Sequence, residues 1–149
     1  MRKFSDEERE RIREQLIQTG RELLVTYGPA KTTVNDITEP VGIAKPTFYQ
    51  FFDAKSDLYV EIFERELDEL TANLESELEG IEDPRERLER FFRCYVEFGE
   101  GNEFVQRVFL RGDYRDVIGD LSPEQIADLE RKEMEVLVPP IQEIQRRSE

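Results

Sequence analysis

Gly42, set between two apolar-phased runs, is the residue that most restricts how this chain can fold. Upstream, Thr33 with Asp36 three residues on reads as an N-cap and capping box. Val34 and Ile37 then put apolar groups on one face of a short helix, with Val41 one turn further. Gly42 breaks the pattern, because glycine reaches the positive-φ turn conformation without steric cost. Pro46 suits the first turn of a second helix, where its missing N–H costs nothing. That helix is predicted to run through Phe48, Tyr49, Phe51 and Phe52. Helix, glycine turn and second helix within residues 33–55 make a helix-turn-helix pattern.

The segment resembles the DNA-binding end of TetR-family transcriptional regulators. That family carries a Thr-Thr-Val-x-x-Ile helix, then Gly-Val/Ile-(Ser/Ala)-Lys-(Gly/Pro)-Thr-(Leu/Phe)-Tyr-x-(Tyr/Phe)-Phe, and a Lys opening the next helix. Here Thr32, Thr33, Val34, Ile37, Gly42, Ile43, Ala44, Lys45, Pro46, Thr47, Phe48, Tyr49, Phe51, Phe52 and Lys55 stand in that register. Pro40 departs from it, where the family has a small helix former. Lying past the first turn, it is expected to kink or end the helix.

The resemblance implies an all-α fold. A three-helix DNA-binding head at 1–55 would precede a helical ligand-binding and dimerisation body at 56–149. It also implies a cytoplasmic regulator, most often a repressor, that binds a palindromic double-stranded DNA operator as a homodimer. A hydrophobic small molecule held among the body helices would shift the heads and release the operator. The family continues past a helix like 122–138 with two more that build the dimer. This chain stops at Glu149: either it is truncated, or it dimerises through what remains, for which residues 121–144 are the candidate segment.

Charge needs dividing before it bears on nucleic acid. The formal net charge is −14. Residues 1–55 hold nine Lys/Arg and nine Asp/Glu, whereas residues 56–149 hold twelve against twenty-six. The acidic excess therefore lies wholly outside the helix-turn-helix, and a neutral head on an acidic body favours docking by the head. No apolar run reaches membrane-spanning length, and the start of the chain is too charged for a secretory h-region. One cysteine, Cys94, excludes an internal disulfide framework and fits a reducing compartment.

Along the chain, Ser5 with Glu8 is a capping box for a first helix whose inner face is read as Ile12, Leu16, Leu23 and Tyr27, widened by Ile17 and Leu24. Gly28-Pro29 stops it. Asp53 is placed to cap a long helix with Tyr59, Phe63, Leu67, Leu70, Leu74, Leu78 and Ile81 at helical spacing. Asp83-Pro84 starts another, with Leu88, Phe91, Phe92, Tyr95 and Phe98 on its apolar face and an end at residues 99–101. An amphipathic segment holds Phe104, Val105, Val108, Phe109 and Leu110, and residues 113–120 read as a turn or frayed end. Ser122 with Gln125 opens the last helix, with Ile126, Leu129 and Met134 inward and an interruption at Pro139-Pro140.

Catalysis finds little support. Without histidine there is no His-dependent triad or metal site, and no glycine-rich phosphate loop is present. No catalytic residue, metal ligand or cofactor is assigned. In the recognition helix, docking geometry sends the N-terminal residues to base edges. Ala44 suits a thymine methyl and Lys45 guanine O6/N7, while Pro46 opens the helix. Thr47, Tyr49 and Gln50 carry groups suited to phosphates or bases; by the resemblance, Tyr49 contacts backbone phosphate. Thr33 is read both as cap and phosphate contact. Lys55 is disfavoured at a helix N-terminus, and a nearby phosphate would remove that penalty. Arg2, Lys3, Arg9 and Arg13 are within reach of a DNA backbone, though solvation is the commoner fate of the last two. Phe48 and Phe51 are read as core. The aromatic body offers Phe63, Phe91, Cys94, Tyr95, Phe98, Phe109 and Tyr114 as pocket-lining candidates. The rival to a DNA-binding regulator is an acidic helical protein-interaction module that keeps the head fold without binding DNA.

Overall fold

The computed structural model describes residues 3–149, and every regular element among them is helical. They are α1 (Asp6–Tyr27), α2 (Val34–Val41), α3 (Lys45–Phe48), α4 (Lys55–Leu78), α5 (Pro84–Gly101), α6 (Glu103–Val105), a π turn (Gln106–Leu110), α7 (Tyr114–Ile118) and α8 (Pro123–Ser148). Three begin with the capping boxes legible in the sequence: Ser5 with Glu8, Thr33 with Asp36, and Ser122 with Gln125. Asp83 caps α5 by accepting from the Glu86 N–H at 2.9 Å. The chain folds into two compact units. One takes the chain up to Ile62 with Glu103–Leu121, and the other takes Phe63–Asn102 with Ser122–Glu149.

In the first unit, α1 buries Ile12, Leu16, Ile17, Gly20 and Leu24. The inner stripe therefore centres on Leu16 and Leu24, and Tyr27, expected inside, is 57% exposed. Gly20 explains the rotation: a Cβ there would lie 2.8 Å from Leu58 Cδ2, so the α1 backbone closes onto α4 at that point. Leu58, Tyr59, Ile37 and Phe48 are sealed from solvent around this contact, and burial of each side chain stabilises the unit by about 1.5–3 kcal/mol. From 103–121, Phe104, Val108 and Val117 join the same unit's core, while Phe109 and Leu110 face out. Residues 114–118, expected as a turn or frayed end, make one short helix.

In the second unit, Leu70, Leu74 and Leu78 of α4 pack with Phe91 and Cys94 of α5 and Val136 and Ile144 of α8. Arg87 ends α4 by donating to the carbonyls of Leu78 and Ile81 at 2.8 and 2.6 Å. Ile81 thus lies past the helix rather than on its stripe. Two further expectations change, both in α8, and the end of α5 does not. Helix α5 ends at Gly101, within the expected 99–101, and there Asn102 caps it and donates from Nδ2 to Glu66 Oε2 at 2.6 Å. Helix α8 runs unbroken through Pro139 and Pro140, since the burial of Val136 and Ile144 on either side holds the segment in one helix. Met134 is 55% exposed, while Leu129, Val136 and Ile144 turn inward. The apolar face of the expected dimer contact is thereby used inside the unit.

Candidate nucleic-acid interface

The turn between α1 and α2 fixes where the helix-turn-helix starts. Gly28 ends α1 at φ 86°, and the Thr32 hydroxyl, fully buried, donates to the Gly28 carbonyl at 2.8 Å. The Lys55 ammonium donates to the carbonyls of Pro29 at 3.0 Å and Thr32 at 2.7 Å. The Tyr59 hydroxyl adds a bond to Pro29 at 3.2 Å, and burial pushes its phenol far above the usual range despite the Thr32 contact. The Arg107 guanidinium packs over Gly28, where any Cβ would meet Nη2 at 2.6 Å, and its Nε pairs with Asp113 at 2.9 Å.

These contacts give Lys55 partners within the head itself. The charge at the start of α4 needs a compensating acceptor, and two backbone carbonyls supply it where the sequence points to a phosphate. Lys55 ties the start of α4 to the turn before α2.

Helix α2 follows from its cap. The Thr33 hydroxyl accepts from the Asp36 N–H at 3.1 Å, and the Asp36 carboxylate accepts from the Thr33 N–H at 2.9 Å. That backbone bond, then the hydroxyl, hold the Asp36 carboxyl below its ordinary value. Pro40 lies inside α2, which ends one residue later at Val41. Gly42 at φ 83° closes it, its N–H reaching the Thr38 and Glu39 carbonyls.

The recognition helix is shorter than its pattern suggests. Only Lys45–Phe48 is α-helical; beyond it the N–H groups of Tyr49, Gln50 and Phe51 reach back three residues, the tighter 3₁₀ spacing. Phe48 is fully buried and Phe52 nearly so. Phe51 is half-buried, with Phe4 6.1 Å away and the Arg9 guanidinium 4.9 Å above its ring.

Thr33, Ala44, Lys45, Pro46 and Tyr49 are exposed, Tyr49 by 50%. Thr47 departs from expectation: it is buried beside Phe48, because the turn that sends Lys45 and Tyr49 outward sends Thr47 inward. Gln50 is held from α1, where Arg9 donates to its carbonyl at 3.0 Å and to its Oε1 at 3.5 Å. Arg13 likewise pairs with Glu61 at 3.2 Å and lies 5.3 Å from the Phe52 ring. Nothing in the sequence marks these two arginines as a clamp on the end of the recognition helix, since solvated helix arginines look the same. Lys3 is exposed, and Arg2 lies outside the described residues.

The seven pocket candidates differ in burial. Phe63 and Phe91 are core, Tyr95 and Phe109 are surface residues, and Tyr114 stacks on Phe109 at 5.6 Å. Cys94 and Phe98 alone among them line an open cleft of about 320 Å³ in the second unit, together with Glu69, Asn73, Glu77 and Glu97. Burial, then the Glu77 and Glu97 carboxylates, push the Cys94 thiol up.

Among the described residues no group of His, Cys, Asp and Glu is disposed to hold a metal, and no helix is long and apolar enough to cross a membrane.

Known proteins share this architecture. The family model described as bacterial regulatory proteins, tetR family, matches residues 16–62, which span α1 to the start of α4. The HTH-type transcriptional activator FasR of Mycolicibacterium smegmatis is 28% identical over 106 residues, 71% of this chain and 48% of that protein. This chain spans about half the length of the curated relatives it matches. The crystal structure of a TetR-family transcriptional regulator, PfmR from Thermus thermophilus, superposes with a TM-score of 0.64 at 26% identity, covering 98% of this chain and 72% of that one. That of the superantigen PfiT does so with a TM-score of 0.67 at 26% identity, covering 87% and 70%. The tetR-family model thus covers the head at 16–62, and the helical body continues with the fold of a solved TetR-family regulator.

Proposed function

We propose that the chain binds a palindromic DNA operator as a homodimer, through a head at residues 1–55, and that a body at 56–149 carries dimerisation and effector response. The observation that carries this reading is the outward set at the start of α3. Ala44, Lys45, Pro46 and Tyr49 are exposed while Phe48 and Thr47 anchor the same turn inside. Lys45 reaches a guanine edge, Ala44 a thymine methyl, and Tyr49 and Thr33 the flanking phosphates. Gln50, with its backbone carbonyl and side chain held by Arg9, sits at the edge of that set. Two heads are needed because one helix reads too few bases for useful specificity. Occupying an operator that overlaps a promoter represses it. The small-molecule effector enters the open cleft beside Cys94 and Phe98, whose three glutamates favour a polar or cationic molecule over a hydrophobic one. A regulator of this kind is not an enzyme and works in the cytoplasm.

Anisotropy with DNA from the protein's own upstream region, against random DNA, tests the reading. Lys45→Ala should narrow the gap between the two DNAs by about 1–3 kcal/mol per half-site. Equal weakening on both DNAs would remove the base-edge role. Absence of binding by the wild-type chain would favour the protein-interaction reading instead.

A further inference from the structure

Helix α3 has only four residues and the turns after it are 3₁₀, so its own hydrogen bonds are too few to fix its direction. Thr47 and Phe48 anchor its inner side. Its far end is held by two arginines one turn apart on α1. Arg9 donates from Nη2 to the Gln50 carbonyl at 3.0 Å and from Nη1 to Gln50 Oε1 at 3.5 Å, and its guanidinium lies 4.9 Å above the Phe51 ring. Arg13 lies 5.3 Å from the Phe52 ring and pairs with Glu61 of α4 at 3.2 Å. The end of a helix leaves carbonyls without intrahelical donors and favours a cation, and Arg9 supplies both donor and charge.

We propose that Arg9 is a positioning residue for DNA reading: by holding the Gln50 carbonyl and covering Phe51, it sets the direction in which Lys45 and Tyr49 leave the head, without itself touching DNA. The inference rests on the DNA reading above and adds to it a residue that acts through others. Tyr49 immediately precedes the clamped residue, and its ring stands edge-on to Phe48 with centroids 5.4 Å apart and planes at 85°. A tilt of the segment at Gln50 therefore carries Tyr49 with it, and also Lys45 at the start of the same short element. Such a tilt weakens binding to the correct sequence more than to random DNA. Hydrogen bonds to base edges depend steeply on distance and angle, whereas attraction to the phosphate backbone does not. A guanidinium suits this task because its planar fork serves two oxygens and stacks on a ring; an ammonium is a point donor and does neither as well. A phosphate-binding Arg9 would differ on each count: its charge would matter and its fork would not.

Two measurements on the full chain test this, with circular dichroism as a check on folding. Anisotropy across a salt series uses a duplex from the protein's own upstream region and a random duplex, and hydrogen exchange is read on the chain without DNA. Arg9→Met removes charge and fork; Arg9→Lys removes the fork alone. Both should speed exchange of the amides at 50–52, by about tenfold for Arg9→Met, with helicity unchanged. Both should also lower the ratio of upstream to random affinity, by about threefold or more, and Arg9→Met should leave the salt slope as in wild type. A slope flatter by roughly 2 units for a dimer in Arg9→Met, with Arg9→Lys binding as wild type, makes Arg9 a phosphate contact and overturns the proposal. Exchange at 50–52 unchanged in Arg9→Met removes the clamp and overturns it as well. Faster exchange with an unchanged affinity ratio leaves a clamp without a part in reading, which also refutes the proposal and leaves the DNA reading standing. A wild-type chain that binds neither duplex overturns the DNA reading and this inference with it, whatever the exchange rates.

Discussion

Replacing Lys55 by methionine separates a structural role from an electrostatic one. The methionine keeps most of the aliphatic stem but removes two charge-assisted hydrogen bonds, to Pro29 and Thr32. Each such bond contributes about 1.5–3 kcal/mol when intact. Three discounts apply. The site is only part-buried, so water replaces some of the loss. The Pro29 carbonyl keeps the Tyr59 hydroxyl. Removing a cation from a helix N-terminus also returns about 0.3–1 kcal/mol. The net cost is about 2 kcal/mol, which for a urea slope of about 1–3 kcal/mol/M lowers the unfolding midpoint by about 1 M. The slope itself should not change. DNA affinity should fall only through misplacement of α2, leaving the dependence of log affinity on log salt as in wild type. A phosphate contact makes the opposite forecast: wild-type stability, and a salt slope flatter by roughly 2 units for a dimer. Wild-type urea resistance together with that flattened slope would refute the positioning role.

Gly20→Ala sets a Cβ 2.8 Å from Leu58 Cδ2, and overpacking of about 1–3 kcal/mol should exceed the gain in helix propensity of about 1 kcal/mol. Thermal unfolding should show a lower midpoint, and a rise would mean that the α1–α4 contact yields freely. Because the folded Asp36 carboxyl lies below its unfolded value, its contribution is present above the unfolded pKa of about 3.9 and is lost as pH falls through the folded one. Asp36→Asn should therefore flatten the acid limb of stability against pH, and an unchanged limb would discount the capping box. The raised Cys94 thiol should react slowly with a maleimide at neutral pH, and Glu77→Gln with Glu97→Gln should speed it. Rates unmoved by both changes would leave burial as the whole cause.

Helix starts were legible because they are local. A Ser or Thr and an acid or amide three residues on satisfy orphan N–H groups with no help from distant chain, and the boxes at Ser5, Thr33 and Ser122 formed as read. Gly42 acted in the same way, its positive φ ending α2 as the sequence implied. Which side of each helix faces inward was a different matter. Periodicity placed one apolar face on α1 and one on α5, but which of Leu24 and Tyr27, or of Phe91 and Phe92, is buried depends on where the neighbouring helix lies. The close approach at Gly20 and the packing of α5 against α8 made those choices.

The candidate interface divides along the same line. The motif itself announced the exposed residues at the start of α3. Lys55, Arg9 and Arg13 looked in the sequence like charges awaiting a phosphate or water. Their partners lie 23, 26, 41 and 48 residues away, at Thr32, Pro29, Gln50 and Glu61, and only the folded chain brings them together. Local hydrogen bonding and φ preference are properties of a few consecutive residues, so the sequence determined the capped helix starts and the stop at Gly42, but not the length of α3 or the continuity of α8. The destination of a long cationic side chain depends on which acceptors the tertiary fold places within about 3 Å of it, and that no short-range pattern encodes.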